Sequence, residues 1–261
     1  MITLSDELGH LSCVVTGDGP PVVLVHAGIA DHHMWDAVVP ALAERHTVIR
    51  YDLRGFGESA PPSGPFRETD DLRRILDHFG HERVRLVGAS WGGRVAVDFT
   101  LTHPDRVHSL AVLAAPWPGY DWSAEMIAYD AAETRALAAG DLDAAVTTNL
   151  DMWVRGPART WEDVADGLAD RLRGPVRTSL VNQDVVGEHS QGVVRGDLSG
   201  IPVPTLVGIG ALDVADFQDI GRRYASGIPG AVLIEFPTAA HLIAMDAPAE
   251  LTAALLPFLA R

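Results

Sequence analysis

The stretch from Val84 to Val97, Val-Arg-Leu-Val-Gly-Ala-Ser-Trp-Gly-Gly-Arg-Val-Ala-Val, limits the folds open to this chain more than any other. A short apolar run of the kind found in strands buried on both faces enters a small-residue turn with Ser90 at its apex. A helically spaced segment leaves at once. So abrupt a change needs room, and Gly88, Gly92 and Gly93 stand where side chains would block the bend. Gly88-x-Ser90-x-Gly92 is the pattern of a nucleophile elbow. A hydroxyl held there is exposed, stands at the positive end of a helix and has a backbone N–H beside it for an oxyanion. The pattern is short, and its meaning depends on what the rest of the chain supplies.

Around it, apolar runs alternate with amphipathic segments. Val22–Val25, Thr47–Tyr51, Val84–Val87 and His108–Ala114 read as strands, with helices expected over 69–79 and 93–102 and helical spacing over 34–44 that Pro40 interrupts. In the second helix Leu72, Ile75, Leu76 and Phe79 share one face. An extended run over 11–15 precedes Thr16-Gly17-Asp18-Gly19-Pro20-Pro21, a hairpin-like turn signal. Strand–helix alternation predicts a mostly parallel sheet with helices on both faces. It stops at Trp117. From there to about Ser199 only helical stretches are found, over 123–139, 141–154 and 161–173. Alternation resumes with a strand over 205–209, a helix over 216–226, a strand over 231–236 and a helix over 248–260. The expected organisation is a core domain of residues 1–116 and 200–261, carrying a helical cap of residues 117–199.

A serine nucleophile needs a base for its proton and an acid that orients the base. In open α/β sheets such groups lie at the carboxyl ends of strands. Asp213 follows the strand over 205–209, and His241 follows the strand over 231–236 just before the last helix. Asp216 and Asp121 are rivals for the acid. The remaining histidines have plainer roles in loops and at strand or helix ends, with His32 and His33 open between a pocket wall and a polar loop.

Composition excludes other chemistries. The formal charge of −15 disfavours nucleic-acid backbones and anionic membrane surfaces. All 20 basic residues are Arg, which rules out a Schiff base, a pyridoxal-phosphate lysine, a phosphate-loop lysine and a Ser–Lys dyad. Cys13 is the single cysteine, so no intrachain disulfide forms. No run approaches the roughly 18–20 apolar residues of a membrane span, and the first residues carry no export signal, so a soluble, cytoplasmic monomer or homodimer is expected. No spacing of His, Asp or Glu reads as a metal site, and no cofactor is expected.

The chain resembles the α/β-hydrolase superfamily over nearly its whole length. Besides the elbow, His26-Ala27-Gly28 stands where that family has its His-Gly oxyanion loop, and Asp52-Leu53-Arg54-Gly55-Phe56-Gly57-Glu58-Ser59 is similar to its Asp-x-Arg-Gly-x-Gly-x-Ser turn. His103-Pro104-Asp105-Arg106-Val107 looks like a further signature, while Met34-Trp35-Asp36 and Arg50-Tyr51-Asp52-Leu53-Arg54-Gly55 resemble the small-esterase and 3-oxoadipate enol-lactonase branch. The resemblance implies an α/β-hydrolase fold with a helical cap, a Ser90–His241–Asp213 triad, and backbone N–H groups of Gly28 and Trp91 as the oxyanion hole. Ala27, where the family has Gly, puts the shape of that loop in question. The implied substrate is a small or medium, partly apolar ester or lactone, opened through an acyl-enzyme. His32, Trp117, Trp122 and Trp153 are expected at the pocket, and Arg155 and Arg159 would suit a dicarboxylate. The same fold and triad also serve C–C bond hydrolysis, lyase or cyclase reactions and silent ligand-binding proteins.

Overall fold

Eight strands form one sheet in the computed structural model, which describes residues 1–192 and 197–260. In chain order they are β1 (Ile2–Asp6), β2 (Gly9–Thr16), β3 (Pro21–Val25), β4 (Thr47–Tyr51), β5 (Val84–Ala89), β6 (Val107–Leu113), β7 (Thr205–Gly210) and β8 (Val232–Phe236). Across the sheet the order is β1-β2-β4-β3-β5-β6-β7-β8. The β1–β2 and β2–β4 pairs are antiparallel and every other pair is parallel, so the sheet is mostly parallel as the alternation predicts.

The helices are α1 (Val39–Ala43), α2 (Glu68–His78), α3 (Trp91–Thr102), α4 (Ala124–Ala138), α5 (Leu142–Asn149), α6 (Leu168–His189), α7 (Ala215–Gly227), α8 (Ile243–Asp246) and α9 (Pro248–Leu259). They cover both faces. Successive side chains of a strand point to opposite faces, so Val22 and Leu24 pack with Leu42, Leu251 and Leu255, whereas Val23 and Val25 pack with Leu72, Ile75 and Ile220.

One reading of the N-terminal half changes and another gains detail. The turn over 16–21 does not close a hairpin: β4 lies between β2 and β3, and Gly17 and Gly19 wrap the chain over the carbonyls of Ala43, Arg45 and His46. The hairpin is β1–β2, built from a polar first strand whose pattern shows little burial. The interrupted helical spacing over 34–44 resolves into a short 3-10 turn at His32–Trp35 and α1, because Pro40 cannot donate to a continuous ladder.

Between β6 and β7 the described residues form helices, with a single bridge from Ser190 to Phe66. Residues 193–196 of that insertion, like Arg261, lie outside the described residues. A continuous 22-residue helix, α6, replaces the shorter helix expected at 161–173. Before it, α5 runs into a π-helical turn at Leu150–Arg155. No helix is long and apolar enough to cross a membrane among the described residues.

Backbone crowding at the strand–turn–helix sets the most severe limit on sequence. A Cβ on Gly92 would lie 2.4 Å from the carbonyl oxygens of both Val25 and His26, and one on Gly88 would lie 2.2 Å from Gly92 O. Gly92→Ala is therefore expected to cost about 3 kcal/mol through overpacking against backbone that cannot retreat. Gly187→Ala, in α6 where an added Cβ meets nothing within 4 Å, should add roughly 0.5–1 kcal/mol. Urea unfolding of the two variants checks both signs.

Candidate active site

Ser90 caps the carboxyl end of β5 at φ 50°, ψ −120°, outside the regions open to most side chains. Such a conformation costs of order 1–3 kcal/mol and persists only where the surroundings impose it. Here Ser90 N donates to Leu113 O over 2.8 Å and Gly92 N to His26 O over 3.1 Å, fixing the turn to both neighbouring strands. The hydroxyl is left at the N-terminus of α3.

Two loops from later strand ends converge on it. Asp213 follows β7 and His241 follows β8. His241 Nδ1 lies 3.0 Å from Asp213 Oδ2, and a carboxylate only accepts, so Nδ1 carries the proton and Nε2 is left to accept. The Ser90 hydroxyl donates to that Nε2 over 2.9 Å. Asp213 is itself held by Val214 N, which donates to Oδ1 over 2.7 Å. The rival acids are elsewhere: Asp216 accepts from Ser123 N at 2.8 Å, and Asp121 is exposed.

The loop over 26–29 lies beside the Ser90 turn, with a Cβ on Gly28 only 3.4 Å from Trp91 Cβ. Buried His26 braces it, donating from Nδ1 to Ala27 O over 2.8 Å and accepting at Nε2 from Leu53 N over 2.9 Å. Burial lowers the pKa of His26, in keeping with a neutral ring that both donates and accepts. Ala27 is accommodated: its side chain is buried in the core, and its N–H points to Met34 Sδ at 3.2 Å.

A cavity of about 560 Å³ opens above Ser90, with Gly28 and Trp91 at its base. Phe56, Trp153, Leu180 and Phe217 supply much of its wall, and Glu68 and Glu133 also border it. Trp153 is the one pocket tryptophan expected from sequence that reaches it. Its ring packs on His241 at 4.6 Å between centroids, Phe217 packs on that imidazole at the same distance, and its indole N–H donates to Tyr129 Oη over 2.9 Å. Among the described residues, no His, Cys, Asp or Glu side chains gather in a group of three suited to a metal ion.

Five other expected pocket residues lie outside the wall. His32 is buried, and its N–H and Nδ1 both donate to Asp52 Oδ1, over 2.8 and 2.9 Å. Trp117 packs edge-on against Tyr224, and Trp122 against Tyr120 and Phe217, both in apolar clusters that need ring area. Arg159 grips Asp246 with both terminal nitrogens at 3.0 and 3.1 Å, and Asp246 Oδ2 accepts from Ala240 N over 2.9 Å, one residue before His241. Arg155 donates to Asp151, Gly156 O and Arg159 O. The sequence reading missed Tyr129, Glu133, Asn149 and Gln183, which α4, α5 and α6 bring to the wall, because nothing in their local pattern marks a polar position as enclosed.

Two measurements follow. The Arg159–Asp246 pair is almost wholly buried, so Arg159→Ala should cost about 3–5 kcal/mol by stranding a carboxylate, seen as a lowered Tm. For His32, burial opposes the charge, but the hydrogen bond and negative charge of Asp52 prevail and hold its pKa above the ordinary 6.5. Burial likewise opposes ionisation of Asp52, yet hydrogen bonds from His32 and from the Glu58 N–H keep it below the usual carboxylate value. The raised histidine adds stability that is complete below 6.5 and lost as pH climbs through the higher folded value. Relative to His32→Asn, the unaltered protein should lose stability as pH rises above about 6.5, as followed by denaturant midpoints.

The alpha/beta hydrolase fold family matches residues 20–248. A fluoroacetate dehalogenase from Burkholderia sp is 43% identical over 111 residues, 40% of this chain, which in that match spans only 36% of the relative's length. A pimeloyl-[acyl-carrier protein] methyl ester esterase from Aeromonas hydrophila is 29% identical over 80% of this chain and 85% of its own. Among solved structures, the enol-lactonase from Burkholderia xenovorans superposes with a TM-score of 0.80 at 24% identity, covering 97% of both chains, which shows a common fold.

Proposed function

Because the chain belongs to the α/β-hydrolase fold family, we propose that it is a serine hydrolase that cleaves a small or medium, partly apolar carboxylic ester or lactone. The observation that carries this is the hydrogen-bonded line from Ser90 Oγ through His241 to Asp213. In the proposed cycle His241 Nε2 takes the hydroxyl proton as Ser90 Oγ attacks the carbonyl carbon. Asp213 holds the ring in the required tautomer and stabilises the imidazolium. The N–H groups of Gly28 and Trp91 face the developing oxyanion, and the N-terminus of α3 adds its partial positive charge. The tetrahedral centre collapses, His241 returns the proton to the leaving oxygen, and an acyl ester remains on Ser90. Water activated by the same imidazole then releases the acid. Every step draws on side chains and backbone alone.

The dehalogenase likeness does not transfer its reaction. Displacement of a halide by a serine oxygen at an alkyl carbon would leave an ether, which activated water does not cleave under these conditions. Turnover with a hydroxyl nucleophile requires an acyl carbon, whose ester a second addition can open. Residues 117–199 serve in this reading as a cap that shapes the acyl and alcohol pockets, with Trp153 its contact to the base. A silent ligand-binding role would leave the aligned serine, histidine and aspartate without purpose.

Hydrolysis of p-nitrophenyl butyrate tests the reading. Ser90→Ala and His241→Ala should each lower kcat by about 10³-fold or more, and a fluorophosphonate probe should label the protein only when both residues are present. Full activity in Ser90→Ala would sink the assignment.

A further inference from the structure

The cavity above Ser90 is bordered by two carboxylates and, among the described residues, by no arginine. Glu68 opens α2 and is buried. The Trp91 indole N–H donates to it, and the Ser190 hydroxyl lies 3.5 Å from its Oε1. Its acidic neighbours Asp71 and Asp98 each have an arginine, Arg54 and Arg94. No ion pair forms on Glu68 among the described residues. Burial, with the negative charge of those two aspartates, holds its carboxyl above the ordinary value. Glu133, from α4, is also without an arginine there: its Oε2 faces the Tyr129 hydroxyl at 2.9 Å and accepts from Asn149 Nδ2.

A buried carboxylate such as Glu68 is costly without a cation, and since neither acid has one among the described residues, a ligand in this cavity can supply that charge. The rings of Trp91, Tyr129 and Trp153 border the same space, and aromatic faces attract ammonium groups most strongly where water is excluded. A carboxylate-bearing substrate would instead meet two like charges, and Arg155 and Arg159 are committed elsewhere. The chain's −15 charge favours approach of a cation over an anion.

We propose that the substrate is an ester carrying an ammonium or quaternary ammonium group, held by Glu68 and Glu133 against the aromatic wall. This rests on Ser90 acting as the acyl-transfer nucleophile. Butyrylcholine and its uncharged carbon isostere, 3,3-dimethylbutyl butyrate, differ in charge with shape kept. The expected kcat/KM favours the cation by about ten-fold, the size of a partly desolvated cation–π and carboxylate contact. In Glu68→Gln and in Glu133→Gln that ratio should fall about three-fold or more. In the unaltered protein, tetraethylammonium should compete with p-nitrophenyl butyrate, raising KM and leaving kcat. A charge ratio near one, a ratio untouched by both substitutions, or tetraethylammonium that leaves KM unchanged overturns the proposal. If the neutral esters turn over while the ratio stays at one, only the charge preference falls. If no ester turns over, the acyl-transfer reading falls and the substrate proposal falls with it.

Discussion

Backbone meets backbone without intervening side chains at three places along the carboxyl edge of the sheet. Gly88 abuts Gly92, Gly92 abuts the carbonyls of Val25 and His26, and Gly210 abuts Ala240 O, where a Cβ would lie 2.1 Å away. These contacts draw β3, β5, β7 and the loop after β8 to one point. Ser90, the 26–29 loop, Asp213 and His241 are all attached to those segments. Their spacing is therefore set by rigid main chain, and the hydrogen bonds between them need little further ordering. Hydrophobic burial on the two faces holds the sheet together, but it would tolerate many sequences. The glycine contacts tolerate few.

The insertion between β6 and β7 adds to this frame as well as covering it. Trp153 lies on the π-helical turn that ends at Gly156, and Gly156 packs near Ala240 and the Leu212 carbonyl. Three residues on, Arg159 clamps Asp246, which in turn holds Ala240 N. The loops bearing Asp213 and His241 are thus buttressed from outside the sheet by one short segment. A π-turn places an extra residue in the helix and redirects the side chains after it, which suits a segment that must set an aromatic ring on an imidazole.

The alternation of apolar runs with amphipathic helices made the sheet legible, since a parallel strand buried on both faces has few other readings. The positions of Ser90, Asp213 and His241 at strand ends followed from the same pattern, and the structure joins them in one hydrogen-bonded line. Polar β1 escaped because a partly exposed edge pair carries no continuous apolar run. The wall of the cavity was the least legible part. Tryptophan content marks where ring area is buried, yet Trp117 and Trp122 spend theirs on Tyr224, Tyr120 and Phe217. Conversely Glu68 and Glu133 look like ordinary helix-surface acids until the fold brings α2, α4 and α6 around one space. Local pattern encodes which face of an element is apolar. It does not encode which polar face will be enclosed by another element.

The hydrogen bond from Ser90 to His241 joins residues 151 positions apart, and its two ends stand in regions of unequal protection. Ser90 rises from β5, near the middle of the sheet, whereas His241 follows β8, an edge strand that leaves Val232 51% and Leu233 39% exposed. Local opening starts where burial is thinnest and where long chain closures are lost first. Fraying of β8 and α9 would carry the imidazole away while the elbow kept its shape. Amide exchange in β8 should then run ahead of exchange in β5, and a molecule that still looks folded at its centre can already lack the Ser90–His241 hydrogen bond.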